Sequence, residues 1–134
     1  MREHLHIGEV AKLVGVSAKT IRYYQEIGLL AEPRRSESGY RLYTARDLLR
    51  LQRIRRLRSL GLPLERVRDI LGEPGHEREN IEQTLRAALH ALSEELTVQI
   101  HDLEERRERV QQLLAAESLE SARVPGEPVP SLYF

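Results

Sequence analysis

Ser17-Ala-Lys-Thr-Ile-Arg-Tyr-Tyr24 reads as the opening of a short helix. A serine hydroxyl at an N-cap accepts from the free backbone N–H groups of the first turn, so Ser17 suits the start. Just upstream, Ile7, Val10, Ala11 and Val14 have the spacing of one helix face. Gly15-Val16 lies between the two segments, and glycine takes backbone conformations that other residues resist, so two helices can meet there at a steep angle. Ala11, Gly15 and Ile21 supply the small residue, the turn residue and the buried aliphatic of a helix-turn-helix. With Ile21 facing inward, Lys19, Arg22 and Tyr23 project outward, where two cations and a phenol suit phosphates and base edges. A surface helix with ordinary solvated charges would account for the same eight residues, so the rest of the chain has to decide.

The formal net charge of zero hides a division. Residues 1–72 carry 15 Lys and Arg against 8 Asp and Glu, and residues 73–134 carry 6 against 13. A basic front half joined to an acidic rear half predicts that one end meets a polyanion and the other does not.

Gly28 ends the second helix and Pro33 breaks the pattern. Arg34-Arg-Ser-Glu-Ser-Gly39-Tyr-Arg-Leu-Tyr43 then predicts a short ribbon, with Tyr40 and Leu42 on one side and Arg41 and Tyr43 on the other. Tyrosines interleaved with Arg34, Arg35 and Arg41 beside a helix-turn-helix form what a DNA-binding wing would offer. Packing inside a small hairpin is the alternative for Tyr40 and Tyr43.

Thr44 caps the next helix and Asp47 complements its positive end. Leu48, Leu51, Ile54, Leu57 and Leu60 form its apolar stripe. Arg50, Arg53, Arg55, Arg56 and Arg58 cover the remainder as largely solvated charges, with Arg55 the one expected to reach a phosphate. Gly61-Leu-Pro63 stops this helix, and Pro63 suits the first position of another over Leu64–Leu71. Gly72-Glu-Pro-Gly75 marks the predicted domain boundary.

From Ile81 to Leu114 neither proline nor glycine interrupts, which allows a helix of roughly 50 Å at ~1.5 Å per residue. Leu89, Leu96, Leu103 and Val110 repeat every seven residues. Leu85, Leu92 and Leu113 occupy the companion seam, broken at Gln99 and Arg106. A lone helix would leave this stripe wet, so the expectation is pairing with the same helix of a second chain; folding back on its own N-terminal part is the alternative. The expected organisation is residues 1–75 as a DNA-binding domain, 76–116 as a dimerisation helix and 117–134 as a tail. The tail, ending Leu132-Tyr133-Phe134, has three prolines between Val124 and Pro130 and cannot be helical. Disorder and a cover over a pocket or partner both fit it.

There is no cysteine, which excludes disulfides, thiolate metal sites and cysteine-ligated clusters. No apolar run approaches the ~18 residues of a membrane span, and no signal-like segment opens the chain, so a soluble cytoplasmic protein is expected.

From Ile7 through Leu114 the chain resembles the MerR family of bacterial transcription regulators. The matching stretches are Ile7-Gly-Glu-Val-Ala-Lys, Val16 to Tyr24, Ile27-Gly-Leu, Arg35 to Tyr43, the Gly61-Leu-Pro-Leu link and the long helix. Gln25 departs from the acid usual in the family, a conservative change expected to alter little. The resemblance implies a mainly α homodimer, with winged helix-turn-helix heads joined by an antiparallel coiled coil. Such a dimer binds a near-palindromic operator in double-stranded promoter DNA. It bends and untwists that DNA, so that RNA polymerase engages promoter elements otherwise spaced too far apart. It places Lys19, Arg22 and Tyr23 on the recognition helix, Arg35, Gly39, Tyr40 and Arg41 on the wing, and Tyr43 and Arg55 at phosphate-facing positions. Ser17 and Arg34 complete the set expected to meet DNA.

The inducing signal is not legible. Cysteine-based metal or redox sensing is unavailable, and His90 and His101 lie about 16 Å apart along one helix, too far for one ion within a chain. No metal site and no cofactor are expected; a small-molecule effector is compatible but unidentified. An effector-independent architectural DNA-bending protein is the competing reading. No nucleophile–base pair, carboxylate dyad or phosphate loop supports an enzyme.

Overall fold

A computed structural model describes residues 4–77 and 79–121 of the 134-residue chain, with side chains described as far as 117. The expected tail beyond Ser121 lies outside the described residues. In chain order the elements are α1 (Ile7–Val14), α2 (Ala18–Glu26), β1 (Arg34–Arg35), β2 (Arg41–Leu42), α3 (Ala45–Ser59) and α4 (Leu64–Leu71). They are followed by β3 (Gly72–Glu73), β4 (His76–Glu77) and α5 (Ile81–Ser121).

The local signals act as their chemistry requires. α1 ends on Gly15 at φ +81°, whose N–H donates to the Ala11 carbonyl at 2.8 Å. Ser17 Oγ accepts from the Thr20 N–H at 3.0 Å and so starts α2 two residues later. Thr44 does more than cap α3. Its Oγ1 accepts from the Asp47 N–H at 3.3 Å while Asp47 Oδ2 accepts from the Thr44 N–H at 2.9 Å, a reciprocal box. Pro63 is the N-cap of α4 rather than its first helical residue, because its backbone is extended at ψ 158°.

α1 packs on α2 and on α3, and α3 packs on α4. The shared core is formed by Val10, Val14, Ile21, Leu29, Leu30, Tyr43, Leu51, Ile54, Leu57, Leu62, Val67, Ile70 and Leu71. Leu60, expected on the α3 stripe, is exposed because it caps the helix and turns away with it.

One expectation for α3 is overturned. Arg50 is not a solvated charge but is 4% exposed. Its Nε donates to the Leu29 carbonyl at 2.8 Å, one Nη to the Gly72 carbonyl at 2.7 Å, and the other to Glu77 at 3.4 Å. Burial opposes its charge and lowers its pKa, while Glu77 and Glu73 act the other way. Position 50 precedes Leu51 on the inner face, and a planar fork of donors is what two stranded carbonyls need. Arg68, from α4, donates to the Ile27 carbonyl. Arginines of α3 and α4 thus clamp the turn that follows α2.

The chain divides into two compact units between Ala88 and Leu89, inside α5, rather than at the Gly72–Gly75 turn where the sequence suggested a break. That turn is instead the β3–β4 hairpin, tied to α3 through Arg50 and Glu77, and Arg53 reaches Glu82 on the first turn of α5 at 2.9 Å. In the second unit α5 continues as one helix. Leu85 and Leu92 are half-buried, whereas Leu89, Leu96, Leu103, Val110 and Leu113 are 43–70% exposed. Among the described residues no helix is long and apolar enough to cross a membrane.

Candidate nucleic-acid interface

Strands β1 and β2 pair antiparallel, Arg34 opposite Leu42 and Arg35 opposite Arg41. Their turn closes through Ser36, whose N–H donates to the Tyr40 carbonyl at 2.8 Å and whose Oγ accepts from the Tyr40 N–H at 3.1 Å. Gly39 completes the turn at φ +86°, a conformation that would strain any other residue type. Arg35 donates to the Gly39 carbonyl at 3.0 Å, so part of its guanidinium holds the wing in shape. Leu5 and Tyr43 exchange backbone hydrogen bonds at 2.8 Å, which joins the segment before α1 to the wing.

This pairing brings the wing beside α2. Arg22, Arg35, Gly39, Tyr40 and Arg41 line one cleft of about 530 Å³ together with His6 and Ile7. Three guanidiniums and no carboxylate line it, so the cleft concentrates positive potential. Tyr40 is 65% exposed and its ring meets that of His6 edge-on, with centroids 6.0 Å apart. Arg41 is half-buried, and its Nε is a buried donor without an acceptor among the described residues. A phosphate oxygen is the kind of acceptor such a donor lacks.

The other expected residues fall around this cleft or apart from it. Lys19 and Tyr23 are exposed on α2, Arg34 is exposed on β1, and Ser17 serves as the cap of α2. Arg55 is exposed on α3 and lies over the turn between α1 and α2. Its Cζ is 3.4 Å from where a Cβ on Gly15 would stand. Gly15 therefore serves both the turn and the close approach of a cation to it.

Tyr43 is the correction. The expectation of a phosphate-facing position fails because its side chain is fully buried. Its hydroxyl accepts from Gln25 Nε2 at 3.1 Å and donates to Gln25 Oε1 at 3.3 Å. Burial pushes the Tyr43 phenol above its ordinary pKa, against the opposing influence of the Gln25 hydrogen bond, Arg41 and Arg22. The alternation of the ribbon places Tyr43 and Arg41 on the inner side, and only the short reach of the ribbon beyond the core leaves Arg41 facing the cleft.

Sequence reasoning missed His6. It was read as an alternate position on a strand, but it is the N-cap of α1, and its backbone N–H donates to Glu9 Oε1 at 3.1 Å. The signal was its place immediately before the first residue of the Ile7 helix face. Among the described residues no group of three or more His, Asp or Glu side chains gathers as a metal ion would require.

Comparison with known proteins gives this geometry its context. Residues 5–73 match the family described as "MerR HTH family regulatory protein", and residues 48–113 match "MerR, DNA binding". The HTH-type transcriptional activator TipA of Streptomyces coelicolor is 36% identical over 121 residues, which cover 90% of this chain and 45% of TipA. The N-terminal part of the Bacillus subtilis multidrug transporter activator, MtaN, superposes with a TM-score of 0.65 at 30% identity, covering 82% of this chain and 97% of that one. EcmrR, in a structure titled as an EcmrR–DNA complex in EcmrR-RPo, gives a TM-score of 0.55 at 27% identity, covering 87% of this chain and 41% of that one. The chain spans about half the length of the curated relatives it matches. Those relatives are transcription regulators rather than enzymes. The profile matches from Leu5 to Leu113, the two helices joined at Gly15 and the basic wing beside them together make this chain a member of the MerR family of DNA-binding transcription regulators.

Proposed function

We propose that two copies of this chain pair through α5 and set their basic clefts on the two halves of a near-palindromic promoter operator. Recognition helix α2 enters the major groove with Lys19, Arg22 and Tyr23, and the wing residues Arg34, Arg35, Tyr40 and Arg41 hold the flanking phosphates. Arg55 adds a phosphate contact at the α1–α2 turn. The observation that carries this reading is the acid-free cleft between α2 and the wing, lined by three arginines. An exposed leucine stripe on α5 supplies the pairing surface, since burying each leucine contributes very roughly 1.5–3 kcal/mol. The bound dimer bends and untwists the duplex. Such deformation costs on the order of 1–6 kcal/mol and is offset by the added phosphate contacts. RNA polymerase then engages the reshaped promoter, as the EcmrR assembly suggests for that relative. The protein works in the cytoplasm, where bacterial promoters lie.

A second reading, an architectural DNA-bending protein that answers to no effector, is favoured by the absence of cysteine. Transcription in vitro from the protein's own promoter, with and without candidate small molecules, separates the two. Constant output under every condition supports the architectural reading.

Fluorescence anisotropy with footprinted operator DNA tests the interface. Arg22→Ala should cost about 1–3 kcal/mol of binding, and full affinity in that variant would refute the placement of α2. For the pairing surface, Leu96→Glu should give monomers in sedimentation and weaken operator binding.

A further inference from the structure

We infer that two copies of α5 pair antiparallel about a two-fold axis passing beside His101, with Leu89 facing the partner's Leu113 and Leu92 facing the partner's Val110. The inference rests on the dimer proposed above and specifies its register.

Because α5 is one uninterrupted helix, its heptad phase can be followed without a break. One seam runs Leu89, Leu96, Leu103, Val110; the other runs Leu92, Gln99, Arg106, Leu113. In a parallel pair in register, each seam residue meets its own copy. Arg106 would then face the partner's Arg106 inside the contact, two like charges with no acid in the seam to separate them. Parallel pairing is the poorer choice on that ground.

Antiparallel pairing sets one seam against the other, and only discrete registers keep the leucines opposed. With the axis between Thr97 and Val98, Leu92 meets the partner's Leu103. The flanks, however, oppose Glu95 to the partner's Asp102 and Arg86 to the partner's Arg107. Each of those like-charge pairs occurs twice by symmetry. With the axis between Glu104 and Glu105, Asp102 gains the partner's Arg109. Leu96 and the partner's Leu113 are then the only pair of leucines opposed, and Leu92 is left against the partner's Glu117.

The axis beside His101 does better on both counts. It opposes Leu89 to the partner's Leu113 and Leu92 to the partner's Val110, at both ends of the rod. Glu95 lies beside the partner's Arg109, twice, so the flanking charges attract. The polar interruptions at Gln99 and Arg106 fall together near the middle. One like-charge meeting remains, Asp102 with its own copy at the axis, and Arg106 one turn along the same helix is placed to neutralise it.

This register also accounts for apolar residues outside both seams. Ile100 and Leu114 are each 55% exposed. Across the axis Ile100 meets the partner's Ile100, and Leu114 lies over the aliphatic stem of the partner's Arg86. Val98 is exposed too, and it lies outside the contact in every register.

A cysteine-free chain makes the test direct, because each introduced thiol is the only one present. Full-length Asp102→Cys, Glu95→Cys and Arg109→Cys are treated, singly and in mixtures after subunit exchange, with a short thiol-bridging reagent. The expected result is a covalent dimer from Asp102→Cys alone, none from Glu95→Cys or Arg109→Cys alone, and a mixed dimer when those last two are combined. Mixed cross-linking of Glu95→Cys with Asp102→Cys would move the axis to Thr97–Val98. Mixed cross-linking of Asp102→Cys with Arg109→Cys would move it to Glu104–Glu105, and either result overturns the proposal, as does a dimer that none of these combinations captures. Sedimentation of the unsubstituted protein keeps the two levels apart: a monomer at every concentration defeats the dimer itself, whereas a dimer with the wrong cross-links defeats only the register.

Discussion

Gln25 and Tyr43, eighteen residues apart in sequence, exchange hydrogen bonds inside the core at 3.1 and 3.3 Å. The amide supplies both a donor and an acceptor to one phenol, so each buried polar group of the pair is satisfied by the other. Through this pair the last residue of the ribbon is fastened to the recognition helix, and the cleft between them keeps its width. The departure at Gln25 therefore sits at a structural junction rather than on an idle surface.

Replacing Tyr43 by Phe should lower stability by about 1–2 kcal/mol, since the Gln25 amide would be left buried with its partners gone. Urea denaturation followed by circular dichroism measures this. Operator affinity at a temperature where both proteins are folded should stay unchanged, the outcome that distinguishes a core tyrosine from a phosphate contact.

The same residue makes stability fall in alkali. Burial raises the Tyr43 pKa above the ordinary value of 10.0. Its neutral form is therefore favoured by the fold, and the contribution is complete below about pH 10. It is lost as pH climbs from there through the folded value, because the unfolded chain releases that proton first. Thermal melts across this range should show a decline that Tyr43→Phe lacks.

Arg50→Met should cost about 3 kcal/mol or more, because the Leu29 and Gly72 carbonyls lose their donors and Glu77 loses its counter-charge. Arg50→Lys should recover only part of this: an ammonium cannot present a planar fork to two carbonyls and a carboxylate at once. Equilibrium unfolding of both variants checks the order.

Acid should act through Glu77. Burial alone would raise its pKa, but the backbone N–H groups of Glu77 and Gly75, with Arg50 and Arg46, outweigh it and hold the carboxyl below its usual 4.5. The stabilisation is therefore present above about pH 4.5 and disappears as pH falls through the depressed value. Stability of Glu77→Gln should vary less with pH across that interval.

Arg41→Ala should weaken binding nearly equally across operator sequences and reduce the salt slope by about 1, the signature of one lost phosphate contact. Anisotropy titrations over a series of salt concentrations provide the measurement. A loss confined to one operator sequence would instead assign Arg41 to a base edge.

The sequence alone determined the elements of this protein. The Ser17 cap, Gly15 at a positive φ, Thr44 before Asp47, and Pro63 after Gly61 are short-range signals. Each is resolved within four or five residues by backbone hydrogen bonding, and the helices begin and end where those residues stand. The heptad stripe of α5 is equally local, since it depends only on helical period. What the sequence could not decide was which side of the wing faces in, and how far. Tyr43 and Arg41 share a ribbon face, yet one is sealed against Gln25 and the other opens onto the cleft. Arg50 looked like four other arginines on its helix until the Leu29 and Gly72 carbonyls, more than twenty residues away on either side, were brought to it. Burial and polar satisfaction are properties of segments that meet only in three dimensions. Tertiary packing therefore chose which cations brace the fold and which remain free for an anion.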